Sequence, residues 1–464
     1  MSNVSDKEAC DASLSKEVHQ ELLERLDINE TLNNEEASSQ EEKQPFNCLT
    51  EDNESSEQTV NNKQKPQRRK LMELPPELIL LIFSYINARL TLTVLCQVCK
   101  FFNQLLSSEA TWKTRFGKRW PKRDKKEDYN YVISWKRVCV DHEDMDRFWQ
   151  NPESNFDFFQ LKKHFAPVDA AIVMAGGRLC ASGSRDRSIG IWDLSSLKEK
   201  GDEDRALVNH LDGHRGWVWC LASDPRGSSR ICSGSWDKSI KIWDLESRNV
   251  EMATIREHRA AVLCLDWQHD VLTTGCYDKH VRMFDLRENR LVLYLKYHTR
   301  PVLSLSVDDK YIITGSEDQT LCIYDRRAAG VYKVVQMESP AFSICRSSST
   351  GYNYLRAGGR NGRIYLFDTT ADSFEALQPT TNTDTPAELT GKICGLCHHG
   401  GAIIAASSDR SIKVLEPSRV LTKILSLEYH TGDVASVHSS SGILASASSD
   451  LSVGIWRPKS LRPF

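Results

Sequence analysis

The chain of 464 residues contains no apolar run approaching the roughly 18 residues that a membrane span demands. No membrane partner is expected. Neither sign of charge dominates either: 60 lysines and arginines stand against 63 aspartates and glutamates, a formal net charge of -3. There is no global basic field of the kind that binds nucleic acid. The opening stretch, "MSNVSDKEACDASLSKEV", lacks the apolar core of a secretory signal. A cytoplasmic or nuclear location is expected, with the 14 cysteines as free thiols, mostly buried. Missing too are a P-loop, a G-x-S-x-G elbow and paired carboxylates with a pocket around them. The expectation is a non-catalytic chain with no cofactor and no metal.

Three zones follow one another. Residues 1–70 are rich in Glu, Asp, Ser, Asn and Gln and are expected to stay a disordered acidic tail. Within them "SKEVHQELLERL" sets Val18, Leu22 and Leu26 at helical spacing, and "KPQRRK" (65–70) is a weak nuclear-import pattern. In residues 71–120, Pro75 and Pro76 suit a helix start, and Leu78, Ile79, Ile82, Phe83 and Ile86 follow at helical spacing. A second helical stretch carries Leu92, Leu95, Cys96, Cys99 and Phe102. Apolar residues recur on more than one face of these short helices, which implies a partner over the remainder. Residues 121–153 read as a helical linker, a rigid connector packing through Trp135, Val138, Met145, Phe148 and Trp149.

The third zone, 154–464, repeats itself. "ICSGSWDKSIKIWDL" (231–245) has counterparts at 179–194, 271–286, 311–326, 354–369, 403–417 and 443–458. A turn residue (Asp186, Asp237, Asp278, Asp318, Asn361, Asp409, Asp450) is followed six positions later by Trp192, Trp243, Phe284, Tyr324, Phe367, Leu415 and Trp456. Apolar residues alternate on both sides of the turn, as in a half-buried hairpin. The period is about 40–50 residues, that of propeller blades. A Ser or Thr stands four residues before most of the turn residues, and His164, His214, His258, His298 and His430 precede them by a longer interval. "CGLCHH" (394–399) matches a haem-attachment pattern, but it falls at an inner-strand position and no second ligand pair follows at zinc spacing. The histidines are expected largely at the loop position of the repeats.

These motifs carry two resemblances. The Trp, Ser/Thr, His and Asp positions are similar to the hydrogen-bonded tetrad of WD-repeat blades, and "LPPEL…I…YI…L…VCK…W" over 71–120 resembles the F-box. Together they resemble the F-box/WD-repeat family. That resemblance implies a mainly β fold with a small all-α domain: a seven-bladed WD-repeat β-propeller preceded by a helical F-box and helical linker. Repeats two and seven keep all four tetrad residues, whereas five and six have lost the His and carry Ala357 and Ala405 at the Ser position. Those two blades are expected to be the least rigid. Strand 155–164 is expected to complete the last blade and close the ring.

The resemblance also implies a function. Leu74, Pro75, Leu78, Ile82, Leu92, Val98 and Cys99 would dock on a Skp-type adaptor and, through it, a cullin–RING ubiquitin ligase. The propeller would hold a protein substrate through a degron peptide. The alternative is a WD-repeat scaffold unconnected with ubiquitin. Two sets of positions point to the target face, one following the first Val of each inner strand and one preceding each turn residue. They give Trp219, Trp236, Leu263, Tyr277, Leu303 and Phe342, with Arg185 and Arg360. Family members that read doubly phosphorylated peptides carry several arginines at these positions; here only Arg185 and Arg360 do. An apolar or aromatic anchor from the target is therefore expected, with an acidic or phosphorylated flank as a secondary contact.

Overall fold

The computed structural model describes residues 71, 74–121, 132–199, 201–246, 250–288, 290–346, 352–377, 390–419 and 421–459. The expectations for the tail (1–70) and for the beginning of the linker (122–131) lie outside the described residues. The chain divides into two compact units, one of Met1–Ile86 with Leu90–Leu105, the other of Asn87–Arg89 with Leu106–Phe464.

In the first unit, helix α1 (Pro76–Tyr85) begins with proline at its first position, where the missing N–H costs no hydrogen bond. A helical run follows through a π-helical stretch, Thr91–Leu95, to Cys96–Val98. Cys99 is extended and breaks the run. Helix α2 starts at Lys100 and ends at Ser107, beyond the limit of this unit. Ile79, Phe83 and Phe102 are buried, and Phe83 meets Phe102 edge to face with ring centroids 5.0 Å apart.

The second unit holds two further long helices and, among the described residues, all the strands. Helix α3 (Glu109–Arg119) packs on helix α4 (Trp135–Trp149). Phe116 lies 5.4 Å from Trp135 and 5.0 Å from His142. A buried ion pair joins Arg115 to Glu143 at 2.7 Å. Glu143 also accepts from the Ala88 N–H at 2.6 Å, so the buried carboxylate is satisfied at both oxygens.

The strands form seven four-stranded antiparallel sheets. Their inner strands (Val168–Met174, Val218–Ser223, Val262–Gln268, Val302–Val307, Ala341–Arg346, Ile393–His399 and Val434–Ser440) neighbour one another in a closed cycle. The fold class is the one expected from the repeats. The strand Phe156–Leu161 pairs with Val453–Pro458, setting Phe158 opposite Trp456, and so completes the seventh blade from the front of the β region. The linker helix α4 is part of this body. Met145, Trp149 and Phe156 share a core with Ala402, Leu444 and Trp456. The α4 backbone also lies against the Gly400–Gly401 turn of blade six.

A polar network centred on a histidine and a serine or threonine ties strands together in blades one to four and seven. In blade one the Trp192 indole N–H donates to Ser182 Oγ at 2.7 Å, Ser182 Oγ lies 2.7 Å from His164 Nε2, and His164 Nδ1 lies 2.8 Å from Asp186. Blade two repeats it with Trp243, Ser233, His214 and Asp237. Burial pushes the Asp186 and Asp237 carboxyls up, but hydrogen bonds from histidine and from Ser188 or Ser239 outweigh it and hold both below the usual range. In blade four Tyr297 replaces the missing indole, its hydroxyl 3.3 Å from Thr314.

Two expectations are corrected here. Blade seven keeps all four residue types, and His430 bridges Ser446 and Asp450, yet the buried Trp456 Nε1 has no hydrogen-bond partner. Packing wins over the bond: Phe158 lies 4.8 Å from the indole, whose six-membered edge is turned toward Gly454. Blade one carries the full tetrad as well, with His164 standing before Asp186 at an interval within that of the other repeats. Nor do the histidines fall largely at the loop position. Five do; His398, His399 and His438 lie on inner strands. Of these, His399 Nδ1 lies 2.7 Å from Ser439 Oγ.

Candidate functional site

One end of the propeller is built to present side chains. In every blade the residue before the turn donates its N–H to the carbonyl just ahead of the inner strand: Arg185 to Pro167, Trp236 to Trp217, Tyr277 to Ala261, Glu317 to Pro301, Arg360 to Pro340, Ser408 to Lys392 and Ser449 to Asp433. Beyond that bond each inner strand carries a register shift around its second residue. The residues involved are Asp169, Trp219, Leu263, Leu303, Phe342, Cys394 and Ala435. A bulge leaves one residue out of the ladder and re-aims its side chain. Both sets of positions singled out in the sequence therefore gather at this end.

Not all of their side chains are available. Leu263 is buried, at 7% exposure, and drops out of the candidate surface. Its apolar side chain is removed from water although its register position is that of the exposed members of the set. Trp219, Leu303, Phe342 and Arg185 are half-buried, whereas Trp236, Tyr277 and Arg360 are exposed. Phe342 lies beneath the Lys392 ammonium, 4.4 Å from the ring centroid.

Blades one to three bring several of these residues together. Trp236 lies 5.2 Å from Trp217, 5.8 Å from Trp219 and 6.4 Å from Tyr277. The Arg185 guanidinium lies over Trp217 at 5.1 Å and over Trp219 at 5.6 Å. Its edge is bound to Asp169, with Nε–Oδ2 at 2.9 Å and Nη2–Oδ1 at 3.0 Å. Burial raises the Asp169 carboxyl even against that arginine, and the bond to Asp169 raises Arg185.

Two aromatic residues of this surface were not singled out by the sequence reading. Trp217 and Phe165 are exposed, Phe165 by 89%. The signal for Trp217 was present in "RGWVW", where residues two apart share a side. Phe165 directly follows the tetrad His164, as Arg215 follows His214.

Among the described residues one cluster has metal-ligand types, His258, Cys276 and Asp278. Arg282 Nη1 already lies 2.8 Å from His258 Nδ1 and 3.1 Å from Asp278 Oδ1, so a guanidinium fills the position a cation would take. Burial, reinforced by Arg282, pushes His258 down to about 3.

The second candidate surface is on the helical unit. Leu78, Ile82 and Val98 are 46%, 40% and 58% exposed. Pro75 is exposed, and Leu74, Leu92 and Cys99 are half-buried. Leu81, Tyr85, Leu90 and Phe101 add further exposed apolar surface. Exposed apolar residues this concentrated mark an interaction site in a small helical unit.

Comparison with known proteins bears on both surfaces. Residues 71–118 match the F-box-like family model. Residues 158–193, 205–244, 249–285, 289–325 and 421–457 match the WD domain, G-beta repeat. The unmatched span between 325 and 421 covers blades five and six, where the His and Ser of the tetrad are missing. F-box/WD repeat-containing protein 9 of Bos taurus is 34% identical over 398 residues, covering 83% of this chain and 82% of its own; its Homo sapiens counterpart gives the same figures. F-box/WD repeat-containing protein mec-15 of Caenorhabditis elegans is 26% identical over 323 residues, covering 67% of this chain and 78% of its own.

Proposed function

Since the chain belongs to the F-box/WD repeat protein family, we propose that it is the substrate-recognition subunit of a Skp–cullin–F-box ubiquitin ligase. The helical unit docks on the Skp-type adaptor through Leu78, Ile82 and Val98, with Leu74, Pro75, Leu92 and Cys99 completing the surface. The propeller end carrying Trp219, Trp236 and Tyr277 holds the target protein. Holding a target lysine near the charged carrier enzyme raises its effective concentration, so the chain itself performs no bond-making step.

The observation that carries this reading is the exposure of Leu78, Ile82 and Val98. A solvated unit gains nothing from aliphatic side chains there, and a bound helical partner would bury them. The test is co-purification of a recombinant Skp-type adaptor with the full chain and with a Leu78→Asp/Ile82→Asp variant. Both side chains are exposed, so melting of the variant is expected within about 2 °C of the parent. Adaptor retention is expected to fall at least tenfold. Equal retention by the two proteins, or none by the parent, would discard the ligase reading in favour of a scaffold.

A further inference from the structure

Taking the propeller as the target-binding half, as above, we propose that its end over blades one to three captures an extended peptide with a bulky apolar or aromatic residue flanked by carboxylates, phosphorylated or not.

Phe165, Trp217, Trp236 and Tyr277 form an apolar wall. Four large aromatic side chains on three successive blades are each exposed by 40% or more. Three of them form one run of ring contacts. Aromatic residues that lean on each other and still face water supply binding energy at low cost in side-chain ordering. The Asp169–Arg185 pair stiffens the wall from behind: the carboxylate fixes the guanidinium, and the guanidinium props the Trp217 and Trp219 indoles. Arg185 and Asp169 are thus positioning residues.

A charged rim surrounds it. Arg187, Lys238 and Lys279 follow the turn aspartates of the three blades and are exposed, with φ of 76°, 71° and 73°. Arg215 and Arg259 stand exposed on the adjoining loops, with Glu257 beside them. The turn aspartates keep their charge, but their oxygens are already engaged within the blade and form no ion pair with these cations. In blades one and two they accept from histidine, the backbone and serine. In blade three Asp278 accepts from Arg282 and the backbone. The surface is therefore apolar within and cationic around, complementary to a segment that is apolar at its centre and anionic at its flanks.

The arrangement does not favour phosphate over carboxylate. A phosphate dianion is held best by guanidinium forks that are free to converge on it. Arg185, the arginine set against the aromatic wall, has its fork closed on Asp169, and the turn cations come one to a blade, spread out along a bound strand.

The test uses the full chain and fluorescein-labelled 12-residue peptides in anisotropy titrations. One peptide has a central Trp-Leu pair flanked by Asp and Glu. A second has Ala-Ala at the centre, a third has Lys flanks, and a fourth has one flanking acid replaced by phosphoserine. The first is expected to bind at least tenfold more tightly than the second and third, and within threefold of the fourth. Trp236→Ala and Lys238→Glu/Lys279→Glu are each expected to weaken the first at least tenfold; affinity should fall steeply with salt for the parent and for Trp236→Ala but not for the charge reversal. Arg185→Ala is expected to weaken it and Arg185→Lys to restore it in part. Saturable binding by the phosphopeptide alone, preference for the Lys-flanked peptide, or no binding by any of the four would overturn the proposal. Adaptor co-purification, which this surface does not serve, would separate that outcome from failure of the ligase reading.

Discussion

The same residue type holds different bonds in different blades. Trp192 donates its indole N–H to a buried serine, whereas the equivalent N–H of Trp456 meets no acceptor. Replacing either by Phe removes similar apolar volume, so the difference between the two replacements isolates the hydrogen bond. Trp192→Phe is expected to destabilise by about 1–2 kcal/mol more than Trp456→Phe, because the first strips a donor from Ser182 and the second relieves an unmet one. Thermal melts of the two variants beside the parent read this directly, and equal losses would contradict it. The four tetrad residues could be found in the sequence of blade seven, but the orientation of the indole could not. That is decided by Phe158, which arrives from the far side of the ring closure. The exclusion of Leu263 was hidden for a similar reason. Its place in the repeat marks it as a rim residue, and nothing in the repeat pattern distinguishes it from its exposed counterparts.

At the scale of elements, the hairpins were legible because their signal is local: alternation, a turn acid and an aromatic at a fixed interval. The seating of the linker helix was not, because it depends on a turn far along the chain. Helix α4 lies so close to the Gly400–Gly401 turn that a Cβ at Gly401 would overlap the Asp141 carbonyl oxygen, and Gly401 has φ +75°. Both space and backbone demand glycine there. Gly401→Ala is expected to cost about 3 kcal/mol or more. Gly227→Ala makes the comparison, since Gly227 has φ +77° with nothing within 4 Å of the added carbon, leaving only the backbone penalty of about 1 kcal/mol. Melting temperatures that fall equally in the two variants would mean that the helix does not rest on this turn. The network of blade three was equally hidden: Arg282 enters between His258 and Asp278 from a strand position that reads as an ordinary alternating residue.

The whole molecule collects its buried histidines into one pH dependence. Burial depresses His258, reinforced by Arg282, and His399, reinforced by His398, to about 3. It depresses His398, with the help of Arg356, and His438 to about 4, from an ordinary value of 6.5. An unfolded chain takes up protons at these groups near pH 6.5 while the folded one does not. The stability they contribute is therefore complete above that pH and drains as pH falls toward 4. A histidine depressed this far forfeits about 2 kcal/mol between pH 6.5 and 5. The turn aspartates, held low, release their share only at still lower pH. Melting temperature is expected to be flat from pH 7 to 8 and to fall progressively below 6.5, with net proton uptake on unfolding. A curve flat down to pH 5 would show that these rings reach water in the folded protein.

The seam in the seventh blade joins residues separated by nearly the whole β region. Pulling on the chain ahead of Phe156 therefore loads the same sheet that holds the final strand, and the toroid opens or survives as one body. Proteolysis between Leu161 and Val168 would leave the severed strand held only by its neighbours, whereas trimming up to Ser134 would spare the seam and remove the exposed apolar helices proposed to dock on the adaptor.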